Sequence, residues 1–226
     1  MQIPNGANFT YNPNTREKPK YIRDLFEKHV LQNVKLAPIY FYKVQFGNKS
    51  LKGDMVSMEV PIYALSKNKD VDIWNWVSSN GKKTIKVIPS AEYGRAAVFD
   101  KDVVIFAISC LVERYNNGIK PTKVIRFSAY SYFKTTGSGT SSREYKRLEA
   151  SLKRLATTSI ETNISAGQKT STEIFHILEN AKFLIEDAKL IGVEITLSDW
   201  LFNAVDGMDV LTLDPAYFEL KKPVER

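Results

Sequence analysis

The residues best suited to chemistry lie in one stretch, Ser141 to Leu155, SSREYKRLEASLKRL, where Arg143, Lys146, Arg147, Lys153 and Arg154 face only Glu144 and Glu149. At roughly 100° per residue along a helix, Tyr145, Leu148, Leu152 and Leu155 fall within about an 80° arc. That is a stripe for packing on a core. Arg143, Arg147, Ala150 and Arg154 cluster on the other side, with Lys146 and Lys153 flanking them. Ser141 followed three residues later by Glu144 is a capping-box pattern, so the helix is expected to begin at about Ser142. Its first turns then present Ser142, Arg143, Lys146 and Arg147. An arginine there can bridge guanine O6 and N7 in a major groove, while neighbouring cations and the amides at the helix start hold phosphates. The plainer alternative is a helix kept soluble by its charges, with Glu144 and Glu149 pairing locally. Two acids cannot neutralise five bases.

The wider charge pattern agrees. The chain has 226 residues and a net charge of +7, with 43% hydrophobic and 25% charged residues, an ordinary globular balance. Residues 118–154 hold nine Lys/Arg and two Glu, whereas residues 155–226 hold six basic and twelve acidic side chains. A basic centre beside an acidic C-terminal third favours a polyanion on one face. The single cysteine, Cys110, excludes an intramolecular disulfide and a cysteine zinc cage, and its apolar neighbours predict a buried thiol. A reducing cytoplasm fits this usage. No targeting pattern or apolar run of membrane-spanning length is visible, so no membrane partner is expected.

Catalytic chemistry finds little footing. His29 and His176 are the only histidines, so a metal-dependent nicking site lacks ligands despite eleven tyrosines. GSGTSS has no Gly-Lys-Ser/Thr after it and fails as a phosphate loop. Asp100/Asp102 and Glu186/Asp187 read as a cap and a solvated turn. No catalytic residue, metal site or cofactor is expected, and the chain is read as a non-enzyme.

The elements that must position the basic helix can be followed along the chain. Residues 1–50 read as an arm with a short amphipathic helix at Tyr21–Asn33 and a strand from IYFYKVQF. MVSMEVPIYALS alternates like a strand, and GKKTIKVIPSA reads as a strand after an Asn80-Gly81 turn. Asp100 is placed to cap a core helix in KDVVIFAISCLVERYNN that Gly118 ends. KVIRFS then predicts a strand, AYSYFKTT a helix and GSGTS a break before the basic helix. SIETNIS and EIFHIL follow as a hairpin around AGQKTST, and then come the strand GVEITL and a Ser-capped helix SDWLFNAV that buries Trp200, Leu201 and Val205. Helix, strand, helix, helix, strand, turn, strand is the order of a winged helix. The predicted class is therefore α+β, a helix-turn-helix plus β-hairpin wing with additional N-terminal strands. Lys134, and Gln168 and Lys169 at the wing tip, join Lys153 and Arg154 as further DNA-contact candidates. Lys120, Lys123 and Arg126 are candidates for backbone contacts.

MEVPIYALSK, AVFDKDVVIFAISCL, REYKRLEASLKRLATTSIETNI, VEITLSDWLFNAV and VLTLDPAYFELKKPVER resemble, in order, the replication initiator protein A family of bacterial plasmids. The resemblance covers roughly residues 55–226. It implies sequence-specific binding of double-stranded DNA at iteron-like repeats of a plasmid origin, and initiation of replication through host factors such as a helicase or initiator. It also implies a possible homodimer. Carried over, the recognition role falls on Arg143, Lys146 and Arg147. The family pattern runs on beyond KKPVER, so residues 51–214 are expected to be the winged-helix domain and 215–226 the start of a linker or second, truncated winged-helix domain. The alternatives are a winged-helix transcriptional regulator and a winged-helix module for protein–protein contact or dimerisation.

Overall fold

Burial is most continuous along KDVVIFAISCLV, where Lys101 to Val112 are all buried. A segment apolar on nearly every side has nowhere stable to lie but inside. The computed structural model describes residues 51–66, 68–164, 172–186 and 189–226, which belong to one compact unit. The helix expected at Tyr21–Asn33, the strand expected from IYFYKVQF and the tip residues Gln168 and Lys169 lie outside those residues.

In chain order, β1 (Leu51–Asp54) leads into a single-turn helix α1 (Val56–Glu59). A hairpin of β2 (Trp74–Val77) and β3 (Thr84–Ile88) precedes the central α2 (Lys101–Asn116). Then come β4 (Val124–Ser128), α3 (Ala129–Thr136) and α4 (Ser142–Thr157). After them run β5 (Ser159–Thr162), β6 (Glu173–His176), β7 (Leu178–Glu186) and β8 (Lys189–Leu197). Helix α5 (Asp199–Asp206), β9 (Val210–Leu213) and two 3-10 turns, Pro215–Glu219 and Pro223–Glu225, close the described chain.

The strands form antiparallel sheets in the orders β1-β9, β2-β3-β5-β6 and β4-β8-β7. Helix α2 packs on β1, β4, α3 and α5. The expected mixture of helices and antiparallel strands is present, including strands ahead of α2. The order from α2 to β6 is as predicted, but β4 pairs with β8, while the β5–β6 hairpin joins β2–β3.

Local chemistry accounts for most boundaries. Gly118, at φ 71°, follows α2, and Gly137, at φ 67°, ends α3 in the left-handed region that favours glycine. Ser128 Oγ accepts from the Ser131 amide at 3.0 Å and Ser198 Oγ from the Leu201 amide at 3.3 Å, capping α3 and α5. Two expectations are corrected. MVSMEVPIYALS does not run as a strand: buried Asp54 accepts from the Ser57 amide at 2.7 Å and turns the chain into α1. The ammonium of Lys101, itself buried, donates to the Ser57 carbonyl at 2.9 Å and fixes that turn. Nor does Asp100 cap α2. Its backbone is already helical and its carboxylate accepts from the Ala97 amide at 2.7 Å.

Residues 215–226 fold back on the domain. Tyr217 joins Leu51 and Ile105 in a small second core, with Phe218 and Leu220 at its edge. The Arg226 guanidinium bonds Asp102 and donates to the Leu220 carbonyl at 2.7 Å and the Phe218 carbonyl at 3.0 Å.

Candidate nucleic-acid interface

Helix α4 is anchored by the stripe its sequence predicts. Leu148, Leu152 and Leu155 are buried in the main core. Tyr145 meets Phe133 of α3 edge-on, with ring centroids 4.8 Å apart at 76°. This contact fixes one helix against the other, and α4 also leans on β6 and β7. The apolar side is thus consumed, and the cationic side is left facing outward.

The two halves of that cationic side have different fates. Ser142, Arg143, Lys146 and Arg147 are exposed and line one shallow concavity with Ala150. Arg143 and Lys146 carry no ion pair among the described residues. Arg147 Nη1 reaches both oxygens of Glu144 at 3.1 Å, three residues away on the surface. Such a pair contributes about 0–1 kcal/mol and exchanges readily for a phosphate. Ser141 makes no side-chain cap bond, and while the Glu144 amide donates to the Ser141 carbonyl at 2.9 Å, the Ser142 and Arg143 amides are left for an outside acceptor. The helix starts where the capping-box pattern places it, but Glu144 serves Arg147 instead of the cap.

Arg154 departs from expectation. Its Nε and Nη2 donate to the two oxygens of Asp100, each at 2.7 Å, and Ser151 Oγ donates to the same carboxylate at 2.6 Å. Asp100 is 1% exposed. The hydrogen bond to Asp100 raises the guanidinium pKa further. Arg154 therefore ties α4 to the start of α2 and is not free for an external ligand. Lys153 is half-buried, pairs with Glu149 at 2.7 Å and lies 5.8 Å from the centre of the Tyr93 ring. The hydrogen bond to Glu149 raises its pKa.

The remaining candidates divide similarly. Lys134 is exposed in the last turn of α3. Lys123 pairs with Asp199 and Glu179, and Arg126 with Glu194, so both serve the β4-β8-β7 sheet and its neighbouring helix. Gln168 and Lys169 lie outside the described residues. Cys110 is buried as predicted, and burial pushes its thiol pKa up. His176 is a strand residue of β6 with Nε2 3.1 Å from Ser159 Oγ. Among the described residues no group of three His, Cys, Asp or Glu could hold a metal ion. No described helix is long and apolar enough to cross a membrane.

Beside the Arg143–Arg147 face lies a cleft of about 830 Å³ whose walls also carry Lys69, Arg95 and Lys221. Sequence reasoning missed these three. They come from segments far apart in the chain, and only the fold brings them to one place.

The model of the family described as replication initiator protein A matches residues 52–226. A protein of Wigglesworthia glossinidia brevipalpis described as "Putative replication protein" is 34% identical over 210 residues, covering 90% of this chain and 74% of that one. Crystal structures of domains 2 and 3 of RctB share the fold at 13% identity. One superimposes with a TM-score of 0.56 over 75% of this chain and 67% of that one, another with 0.54 over 72% and 63%.

Proposed function

We propose, from the premise that this chain belongs to the replication initiator protein A family, that it binds double-stranded DNA at a plasmid replication origin through α4 and starts replication there without being an enzyme. The observation that carries this reading is the N-terminal half of α4. Arg143, Lys146 and Arg147 stand exposed together on a helix whose opposite side is locked into the core. A major groove admits such a helix, and one good bidentate contact discriminates between bases by ~1–3 kcal/mol. We class α2, β4, α3, α4 and the β5–β6 hairpin as a winged helix, with α4 as recognition helix and the hairpin as wing. The pairing of β4 with β8 is an elaboration of that plan. Lys134 would contact the DNA backbone, and Gln168 and Lys169 would extend the wing. Host replication proteins and a second copy of the chain are the partners this role calls for.

The test is a gel-shift series on the DNA upstream of the protein's own gene at two salt concentrations. Phosphate-driven binding falls steeply as salt rises. Weak binding indifferent to salt would instead favour a module for protein–protein contact. Sites confined to a promoter, with none at an origin, would favour a transcriptional regulator.

A further inference from the structure

The cleft beside α4 carries more positive charge than the protein itself uses. Its lining holds seven Lys/Arg against three Asp/Glu. Arg147, Arg154 and Arg226 are matched to Glu144, Asp100 and Asp102. Lys69, Arg143 and Lys221 make no ion pair among the described residues, and all three are exposed. Arg95 is the telling member. Its Nη2 pairs with Asp70 at 2.8 Å and its guanidinium lies 5.7 Å from the centre of a Trp74 ring. Among the described residues its Nε and Nη1 are buried with no hydrogen-bond partner. Buried polar groups are rarely left so, and an orphaned N–H calls for an acceptor from elsewhere.

The wall that holds Arg95 is specifically built. Gly94 adopts φ +80°, and a Cβ there would lie 2.9 Å from Lys69 Cγ and 3.0 Å from the Asp70 carbonyl oxygen. Only glycine allows that approach. The Arg95 amide then donates to the same carbonyl at 2.7 Å, fixing Arg95 next to the segment that carries Lys69.

We propose that this cleft is a phosphate-binding site that shares Arg143 and Arg147 with the tip of α4 and extends it to Lys69, Arg95 and Lys221. A carboxylate offers two oxygens and one charge. A phosphate offers more oxygens, which the planar fork of an arginine and the point charges of lysines can share. A volume of about 830 Å³ suits a small phosphorylated group and does not admit a whole duplex. The phosphate comes either from the backbone of DNA lying across α4, which rests on the function proposed above, or from a free nucleotide.

The experiment uses the whole chain and the double variant Lys69→Ala/Lys221→Ala. Both side chains are exposed and lie outside α4, so folding and base reading are spared. Two quantities are read: calorimetric binding of inorganic pyrophosphate without DNA, and the salt dependence of binding to the upstream duplex. A backbone phosphate predicts that the log–log salt slope of the variant flattens by about 1–2, near 0.9 per lost phosphate contact. A free nucleotide predicts pyrophosphate binding that weakens at least tenfold in the variant with the salt slope unchanged. If both readouts are the same in the variant as in the parent, the proposal is overturned. Arg95→Gln repeats the measurement at the deeper residue, and should it misfold the double variant still decides. Lys146→Ala, on the α4 face but outside the cleft lining, run in parallel separates the two ideas: normal DNA binding in that variant sinks the α4 reading, while the pyrophosphate arm still judges the cleft.

Discussion

Arg143 and Arg154 sit on the same face of the same helix, three turns apart, and do opposite work. At the start of α4 no carboxylate among the described residues pairs with Arg143, so its charge is offered outward. At the other end α2 begins alongside, and Asp100 takes up Arg154 through two hydrogen bonds. A surface cation becomes a ligand contact or a structural tie according to what the tertiary fold places opposite it. A helical wheel contains no such information.

The comparison breaks most visibly at its structural end. Arg154→Ala leaves a buried Asp100 carboxylate without its charge partner, and breaking a buried pair typically costs about 3–5 kcal/mol. Denaturant unfolding is expected to show a loss toward the low end of that range, since Arg154 keeps 27% of its side-chain surface. A loss under 1 kcal/mol would show that the tie contributes nothing. DNA affinity per folded molecule should be unchanged.

The neighbouring tie, Asp102 with Arg226, responds to pH. Burial raises the Asp102 carboxyl from 3.8 to about 6, the Arg226 charge opposing that rise. The folded protein therefore holds this proton more tightly than the unfolded chain. The stabilisation is complete below about pH 4 and is lost as pH rises through about 6. Relative to Asp102→Asn, the parent should lose up to about 3 kcal/mol across that window. Parallel stability curves for the two proteins between pH 4 and 7 would refute it.

Arg143→Ala sharpens the functional end. We expect it to cost ~1–3 kcal/mol of DNA affinity and relax preference at one base pair, with unfolding stability within about 0.5 kcal/mol of the parent. A binding titration against single-base variants of the site reads both. The smallest effect belongs to Lys153→Ala, which removes only a solvent-screened pair with Glu149 and should leave unfolding stability indistinguishable from the parent. A drop in DNA affinity as large as that of Arg143→Ala would return Lys153 to the interface.

Helices α2 to α5 were legible because their signals are local. Apolar content and Gly118 mark α2, the break that opens with Gly137 ends α3, and the leucine stripe orients α4. What was not legible depends on distance along the chain. Asp100 and Arg154 are 54 residues apart, and nothing near either one announces the pair. Strand β7 escaped notice because LENAKFLIE has no clean alternation, and the alternation of MVSMEVPIYALS misled where Asp54 and Lys101 redirect the backbone. Half of the candidate site was therefore readable, the half on one helix. The cleft assembled from Lys69, Arg95 and Lys221 was not, since no spacing rule connects them.

The pairing of β1 with β9, Leu51 opposite Leu213 and Asp54 opposite Val210, carries a consequence for biosynthesis. A nascent chain cannot complete this sheet until the residues near position 213 have left the ribosome. By then α2 to α4 have already emerged and must wait as a partly closed intermediate with its small second core unfilled. Stalled or prematurely ended translation before that point would release a species with one strand of this pair lacking its mate, prone to stick to others like itself.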